Sequence, residues 1–326
     1  MKEWDIAMQG IRVSAENGVL TVQSDRPLEV LSSAVEHGGR CSTRCILNMT
    51  VPSGYQSDDP AHDIRAAAAR CGASACVGMM TAADVTQAAV REEGDVLVVA
   101  TAGASNAATP GEDAPVWGAG TVNIIVVVAH PMTDAALANA LITVTEAKSR
   151  AFRMLDIRST NSGAPATGTT TDSVAACTFP GPGEPYRYAS TATDVGKRMG
   201  RAVSEAVYEC LSLRNGNPPD RPLLTRLDER APGTVAHFLS KDTSGITRAD
   251  LDAAARDDAR VRAALMALLA SWDEPALADG DRARYVATVS RALFRREDSI
   301  CEEECDTRDL AHHVLADIAY HLAGGR

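Results

Sequence analysis

Short runs of strand-forming residues, each closed by glycine, asparagine or aspartate, recur through the first 215 residues and then stop. Ile11 to Ser14, Val19 to Gln23, Leu28 to Ser32, Cys45 to Val51, Val96 to Thr101 and Thr121 to Ala129 have the length and β-branched content of strands. Glu16, Asn17 and Gly18 form a tight turn that pairs the first two as a hairpin. Pro60 to Cys71, Thr133 to Leu155 and Asp194 to Leu213 read as helices, with Thr133 and Asp134 as start signals. Hairpins mixed with helices predict an α+β fold: a mixed, largely antiparallel sheet covered by helices, not a regular alternation of strand and helix.

The pattern changes near Asn215. Only 6 of the 24 glycines follow that residue, and the charged residues become denser. Arg214, Asn215, Gly216, Asn217, Pro218 and Pro219 carry the turn chemistry of a linker. Beyond them Val261, Leu265, Leu268 and Trp272 fall at helical spacing, as do Leu310, Val314, Ile318 and Leu322. The chain thus divides into residues 1–215 and an all-α C-terminal extension, 216–326, of three or four amphipathic helices.

A net charge of −11 disfavours nucleic acid and anionic membrane as partners. The longest apolar stretches, near Ile124 to Ala129 and Ala263 to Ala270, fall short of the ~20 residues of a membrane span. The N-terminus lacks the basic start and apolar block of a secretory signal, and the eight cysteines then read as reduced thiols, so the expected location is the cytoplasm.

Candidate chemistry concentrates in two loops. Ala164 to Asp172 combines Gly168, which lets backbone approach closely, with Thr169, Thr170 and Thr171 and the carboxylate of Asp172. Thr101 to Asn106 follows an apolar run and offers backbone amides and the Asn106 side chain to an oxyanion. Each loop is equally readable as a plain turn. On the long helix Asn139, Thr143, Glu146 and Arg150 share one face and Leu137, Leu141 and Val144 another. Asn123 interrupts an apolar run, where a buried amide must find partners, structural or substrate. No Gly-Lys-Ser/Thr follows either loop, which argues against P-loop nucleotide hydrolysis. The cysteine spacings are not those of a zinc ribbon, although Cys301 and Cys305 with His312 and His313 form a weak metal candidate. No Ser/His/Asp triad is assignable.

Several segments, in order, resemble the adenosylcobinamide amidohydrolase family: Val30 to Val35 with Gly38-Gly39, Leu47 to Tyr55, Val77 to Val85, Ala100 to Asn106, Gly120 to Val126, Ala138 to Lys148, and Ala166 to Asp172. The resemblance covers about residues 25 to 213. It implies hydrolysis of the amide joining the aminopropanol arm to the corrin side chain, with the corrinoid as substrate and no cofactor and no resident metal. For that chemistry Asp172 is the expected base, Thr170 or Thr171 the nucleophile or water positioner, and Glu146 the acid. Asn106 and Asn123 are the expected amide or oxyanion donors, and Gly168, Asp84 and Asn48 complete the substrate-binding set. The family pattern tends to histidine where this chain has Ala192, which admits the alternative of a corrinoid-binding protein without turnover. The extension lies outside the resemblance and reads as a stabilising or oligomerising element, with a fused α-ribazole-phosphate phosphatase as the alternative.

Overall fold

The computed structural model describes residues 1–73, 75–113, 120–213, 218, 220–274, 279–294 and 307–324. The chain forms two compact units, Met1–Asn161 with Ala166–Pro219, and Ser162–Pro165 with Asp220–Arg326. Linker residues 214–217 and 219 lie outside the described residues.

The first unit contains strands β1 (Lys2–Trp4), β2 (Ile11–Glu16), β3 (Val19–Ser32), β4 (Gly39–Thr50), β5 (Val77–Thr81), β6 (Ala89–Glu93), β7 (Val96–Ala102), β8 (Ala107–Ala108), β9 (Val122–Val128), β10 (Gly168–Thr169) and β11 (Ser173–Thr178). Helices α1 (Pro60–Arg70), α2 (Asp134–Met154) and α3 (Asp194–Leu213) pack around them. Nine strands form one sheet in the order β1-β2-β3-β11-β9-β7-β6, with β4 paired to β3 and β5 to β4. All its pairings are antiparallel except β4 with β5 and β9 with β11. Those parallel pairs are the ones whose strands are joined through α1 and through α2, because parallel neighbours need a long crossover. The class is the α+β one expected, and the sheet is nearly closed.

Asn17 and Gly18 both adopt positive φ, and Glu16 pairs with Val19, so the expected two-residue hairpin turn is present. The strands expected at Val19 to Gln23 and Leu28 to Ser32 are instead one, β3, with a register shift between Gln23 and Leu28. Ser24 to Pro27 kinks the strand without ending it, so that β2 pairs with its first half and β11 with its second.

Every residue of β9 is buried, because both faces of the sheet are covered. On one face Val96, Val98, Ile124 and Val126 pack with Leu137, Val144 and Phe152 of α2 and with Met199, Val203 and Val207 of α3. On the other Leu97, Val99, Ile125 and Val127 meet Val22, Leu28, Ile46 and Met79 as the sheet curls on itself. Thr133 caps α2 by accepting from Ala136 N.

The second unit holds six helices among the described residues, more than the three or four expected: α4 (Leu223–Arg230), α5 (Thr234–Lys241), α6 (Arg248–Asp257), α7 (Ala259–Trp272), α8 (Asp279–Phe294) and α9 (Thr307–Leu322). The two eight-residue helices are too short to display a periodicity. Leu224, Phe238, Leu265, Leu268, Val314 and Ile318 share a core of this unit's own. No helix among the described residues is long and apolar enough to cross a membrane.

Helix α3 is seated by Gly196, where a Cβ would fall on the carbonyl of Ser190 in the preceding arm. Gly200, one turn on, has open space around it. Gly196→Ala is expected to destabilise by ~1–3 kcal/mol through overpacking against backbone, and Gly200→Ala to stabilise by ~0.5–1 kcal/mol through helix propensity. Urea unfolding of the two variants beside the wild type checks both signs.

Candidate active site

The register of β7, β9 and β11 brings Thr101, Asn123 and Ser173 into one row at one end of the sheet. There Asn123 donates from Nδ2 to Asn48 Oδ1 at 2.9 Å and to the Met80 carbonyl at 2.7 Å. Asn48 in turn donates to Thr101 Oγ1 at 2.9 Å. This chain of amides ties β9 to β4 and β5 and links β4 to β7, across strands that share no ladder. Asn48 and Asn123 are 2% and 1% exposed, so neither side chain reaches the surface: the expected substrate amides are a buried interstrand tie. The row continues at Ser33, whose hydroxyl accepts from Val174 N at 3.1 Å.

The loops leaving this row converge on Asp172. Its Oδ1 accepts from Val122 N at 2.9 Å and from the Thr169 hydroxyl. Its Oδ2 accepts from Thr169 N at 3.0 Å and from the ammonium of Lys148 on α2. Four donors fill the directions in which a carboxylate accepts hydrogen bonds. Gly168 lies against this pair, and a Cβ there would fall on both Asp172 Oδ2 and Lys148 Nζ, so the residue is glycine for close packing rather than for a turn.

Thr170 and Thr171 are exposed. Asn106, 3% exposed, donates from Nδ2 to Thr170 Oγ1 at 2.9 Å, and its own Oδ1 is buried without a partner. Thr171 Oγ1 lies 2.6 Å from Thr121 Oγ1 and donates to the Gly120 carbonyl at 3.2 Å. The two-residue pairing of β8 with β10 fixes the Asn106 loop against the Gly168 loop. The structure therefore brings together Asn106, Gly168, Thr170, Thr171 and Asp172.

Two expected residues stand apart. Asp84 is exposed and spends Oδ1 on Thr86 N and Thr86 Oγ1, 2.9 and 2.8 Å away, capping a single 3-10 turn. Glu146 is exposed on α2, and it precedes Lys148 by two residues, ~200° around a helix of 3.6 residues per turn. The expected polar face of α2 is also divided: Thr143 is buried and donates to the Ala189 carbonyl at 2.8 Å, whereas Glu146 and Arg150 face solvent.

Lys148, Thr121 and Ser173 are site residues that the loop motifs alone did not single out. The signal for Lys148 was present: it follows Val144 by four residues and precedes Ala151 by three, which puts a cation on the apolar stripe of α2.

Two buried cysteines of the first unit are poorly suited as nucleophiles. Burial pushes the Cys45 thiol up to about 12 and the Cys76 thiol to about 11, with neighbouring Cys71 and, for Cys76, Glu36 adding to the effect, so both stay protonated at neutral pH. Cys301 and Cys305 lie outside the described residues, and His312 packs edge-on against Phe238 in the second unit. Ala192 sits two residues before α3, whose Arg198 ion-pairs with Asp95 just ahead of β7. Cys210, at the other end of α3, donates to the Ala100 carbonyl beside the Thr101 row. At 1.5 Å per residue, ~24 Å of helix separates Asp194, at the start of α3, from Cys210.

Comparison with known proteins finds related chains. The family model described as adenosylcobinamide amidohydrolase matches residues 5–219. An adenosylcobinamide amidohydrolase of Methanosarcina mazei is 32% identical over 187 residues, 55% of this chain and 88% of that protein. One from Halobacterium salinarum is 32% identical over 195 residues, 56% of this chain and 80% of its own length. An uncharacterized protein of Methanocaldococcus jannaschii is 43% identical over 93 residues, and the match spans 28% of this chain and only 36% of that protein.

Asn123→Ala removes the only donor to Asn48 Oδ1 among the described residues and the Asn123 donor to the Met80 carbonyl. Leaving these buried acceptors unsatisfied is expected to cost ~2–4 kcal/mol, read as a lower urea midpoint, while Thr86→Ala at the exposed cap moves it little.

Proposed function

The chain belongs to the adenosylcobinamide amidohydrolase family, and from that premise we propose that it hydrolyses the amide joining the aminopropanol arm to the corrin side chain of adenosylcobinamide, giving adenosylcobyric acid and 1-aminopropan-2-ol for corrinoid salvage. The observation that carries the proposal is coextension: the family match over 5–219 contains the whole Asp172 cluster and stops where the second unit begins. Six cysteines free of disulfides among the described residues are in keeping with a reducing cytoplasm.

In this reaction the oxygen of water bonds to the amide carbon, the carbonyl oxygen gathers negative charge, and the C–N bond breaks as the amine takes up a proton. The threonine loop supplies groups for these steps. Thr170, an exposed residue, accepts from Asn106, which leaves its own proton without a protein acceptor among the described residues. It is the group we assign to holding the attacking water or the substrate amide. Asp172, expected from sequence as the base, has four donors on it, and its assigned role becomes positioning: it holds Lys148, the Thr169 backbone and the start of β9 in one arrangement. A neutral corrinoid amide is also a fitting substrate for a site whose one buried cation is already paired with a carboxylate.

Incubation of the protein with adenosylcobinamide under anaerobic conditions is expected to release 1-aminopropan-2-ol and adenosylcobyric acid, detected together by liquid chromatography and mass spectrometry. An intact corrinoid would refute the assignment. Asp172→Ala, which undoes the four-donor arrangement, is expected to lower kcat by about 100-fold or more, in the range for loss of one preorganised electrostatic group, with corrinoid binding retained in an absorbance titration.

A further inference from the structure

We propose that Lys148 is a catalytic residue, its ammonium donating to the carbonyl oxygen of the scissile amide and to the oxyanion that forms there. The inference rests on the amidohydrolase reading and deepens it.

Lys148 is 9% exposed on the apolar stripe of α2, between Val144 and Ala151, where an ammonium is costly unless it is paired and hydrogen-bonded. Its partner is Asp172. An ammonium has three N–H donors, and the other two have no acceptor among the described residues. Asp172 cannot be drawn closer to cover them, because Val122 N, Thr169 N and the Thr169 hydroxyl hold it in place. The cation is thus fixed, largely desolvated and short of acceptors, beside a loop whose next residues, Thr170 and Thr171, are exposed. Gly168 lets the loop backbone pack closely against Nζ, where a Cβ would collide with it.

These are the properties of an oxyanion donor. A fixed charge in a dry setting acts more strongly than one in water and needs no reorganisation as the substrate charge develops. Lys148 stays protonated throughout: water adds to the carbon, the C–N pair of electrons leaves with the amine, the amine takes its proton from the attacking water, and Lys148 only donates hydrogen bonds. Asp172 holds the lysine in position, acting through it.

The test uses the full chain in four forms: wild type, Lys148→Met, Lys148→Arg, and the double variant Lys148→Met with Asp172→Leu. Each is assayed for 1-aminopropan-2-ol release, corrinoid binding and urea midpoint. Lys148→Met is expected to lower kcat by 100- to 1000-fold, as loss of an oxyanion donor does, with corrinoid Kd changed less than threefold. Lys148→Arg, which keeps the charge on a different geometry, is expected to retain part of the activity. Removing both charges at once relieves the stranded carboxylate but leaves Val122 N, Thr169 N and the Thr169 hydroxyl without their acceptor, so the double variant recovers only part of the urea midpoint. It does not recover kcat if Lys148 touches the substrate. Recovery of turnover together with stability in the double variant would show a structural lysine and overturn the proposal, as would a Lys148→Met enzyme with more than a third of wild-type kcat. A silent wild type refutes the amidohydrolase reading itself and the proposal with it.

Discussion

A buried amide, Asn123, sets the geometry on which the rest of the first unit depends. It lies in a strand that is apolar along both faces and spends both donors across the sheet, on Asn48 of β4 and on the Met80 carbonyl of β5. Unmet, those groups would each cost ~1–3 kcal/mol in a dry interior, so satisfying them forces the curl that brings β4 and β5 against β9. The apolar residues of the inner face follow from the curl, since only a sheet that bends back on itself can bury Leu97, Ile125 and Val127 against Val22 and Ile46. Hydrophobic burial drives the collapse, but it is non-directional. The amide tie selects which strands meet.

Once the row Thr101, Asn123 and Ser173 is fixed, the loops around it have little freedom. Val122 N sits one residue from Asn123 and Asp172 one residue from Ser173, so the bond between them is almost a continuation of the parallel ladder of β9 and β11. A side-chain oxygen takes the place a backbone carbonyl would occupy at the end of a sheet. Asp172 then reaches back to Thr169, closing a four-residue turn, and outward to Lys148. The cluster is thus built on strand ends and a helix rather than on free loop, which is how positional precision is held in a site.

Much of this was legible in the sequence, and the remainder was hidden for identifiable reasons. The bounds of α1, α2 and α3 follow from their start signals and periodicity, and the polar interruption at Asn123 declared that partners had to exist. Strand β11, Ser-Val-Ala-Ala-Cys-Thr, was not legible as a strand, because small residues buried on both faces show neither alternation nor bulk. Strand β5 carries a glycine because Ile64 of α1 packs on it, a contact no local pattern encodes. Glu146 was the more conspicuous charge of α2 and Lys148 the more informative one. Charges on a solvated helix face are ordinary, whereas a charge on the buried stripe must have a partner. Asp172 stands 24 residues away, beyond the end of α2 and strand β10, and only the folded chain supplies it.

The Lys148 and Asp172 pair also bears on what evolution keeps in a core. A buried ion pair is weak support for stability, since well-packed apolar residues of similar volume are often as good or better by ~1–4 kcal/mol. The surroundings here offer every opportunity for such a replacement: Val144, Ala147, Ala151 and Phe152 flank the lysine on α2, and Ala166 and Val174 bracket the loop that holds the aspartate. The chain instead carries a cation that needs a carboxylate, a carboxylate that needs three further donors, and a glycine that makes room for both. Each element answers a requirement set by the one before it, and the first of them, the charge on Lys148, answers none set by the fold.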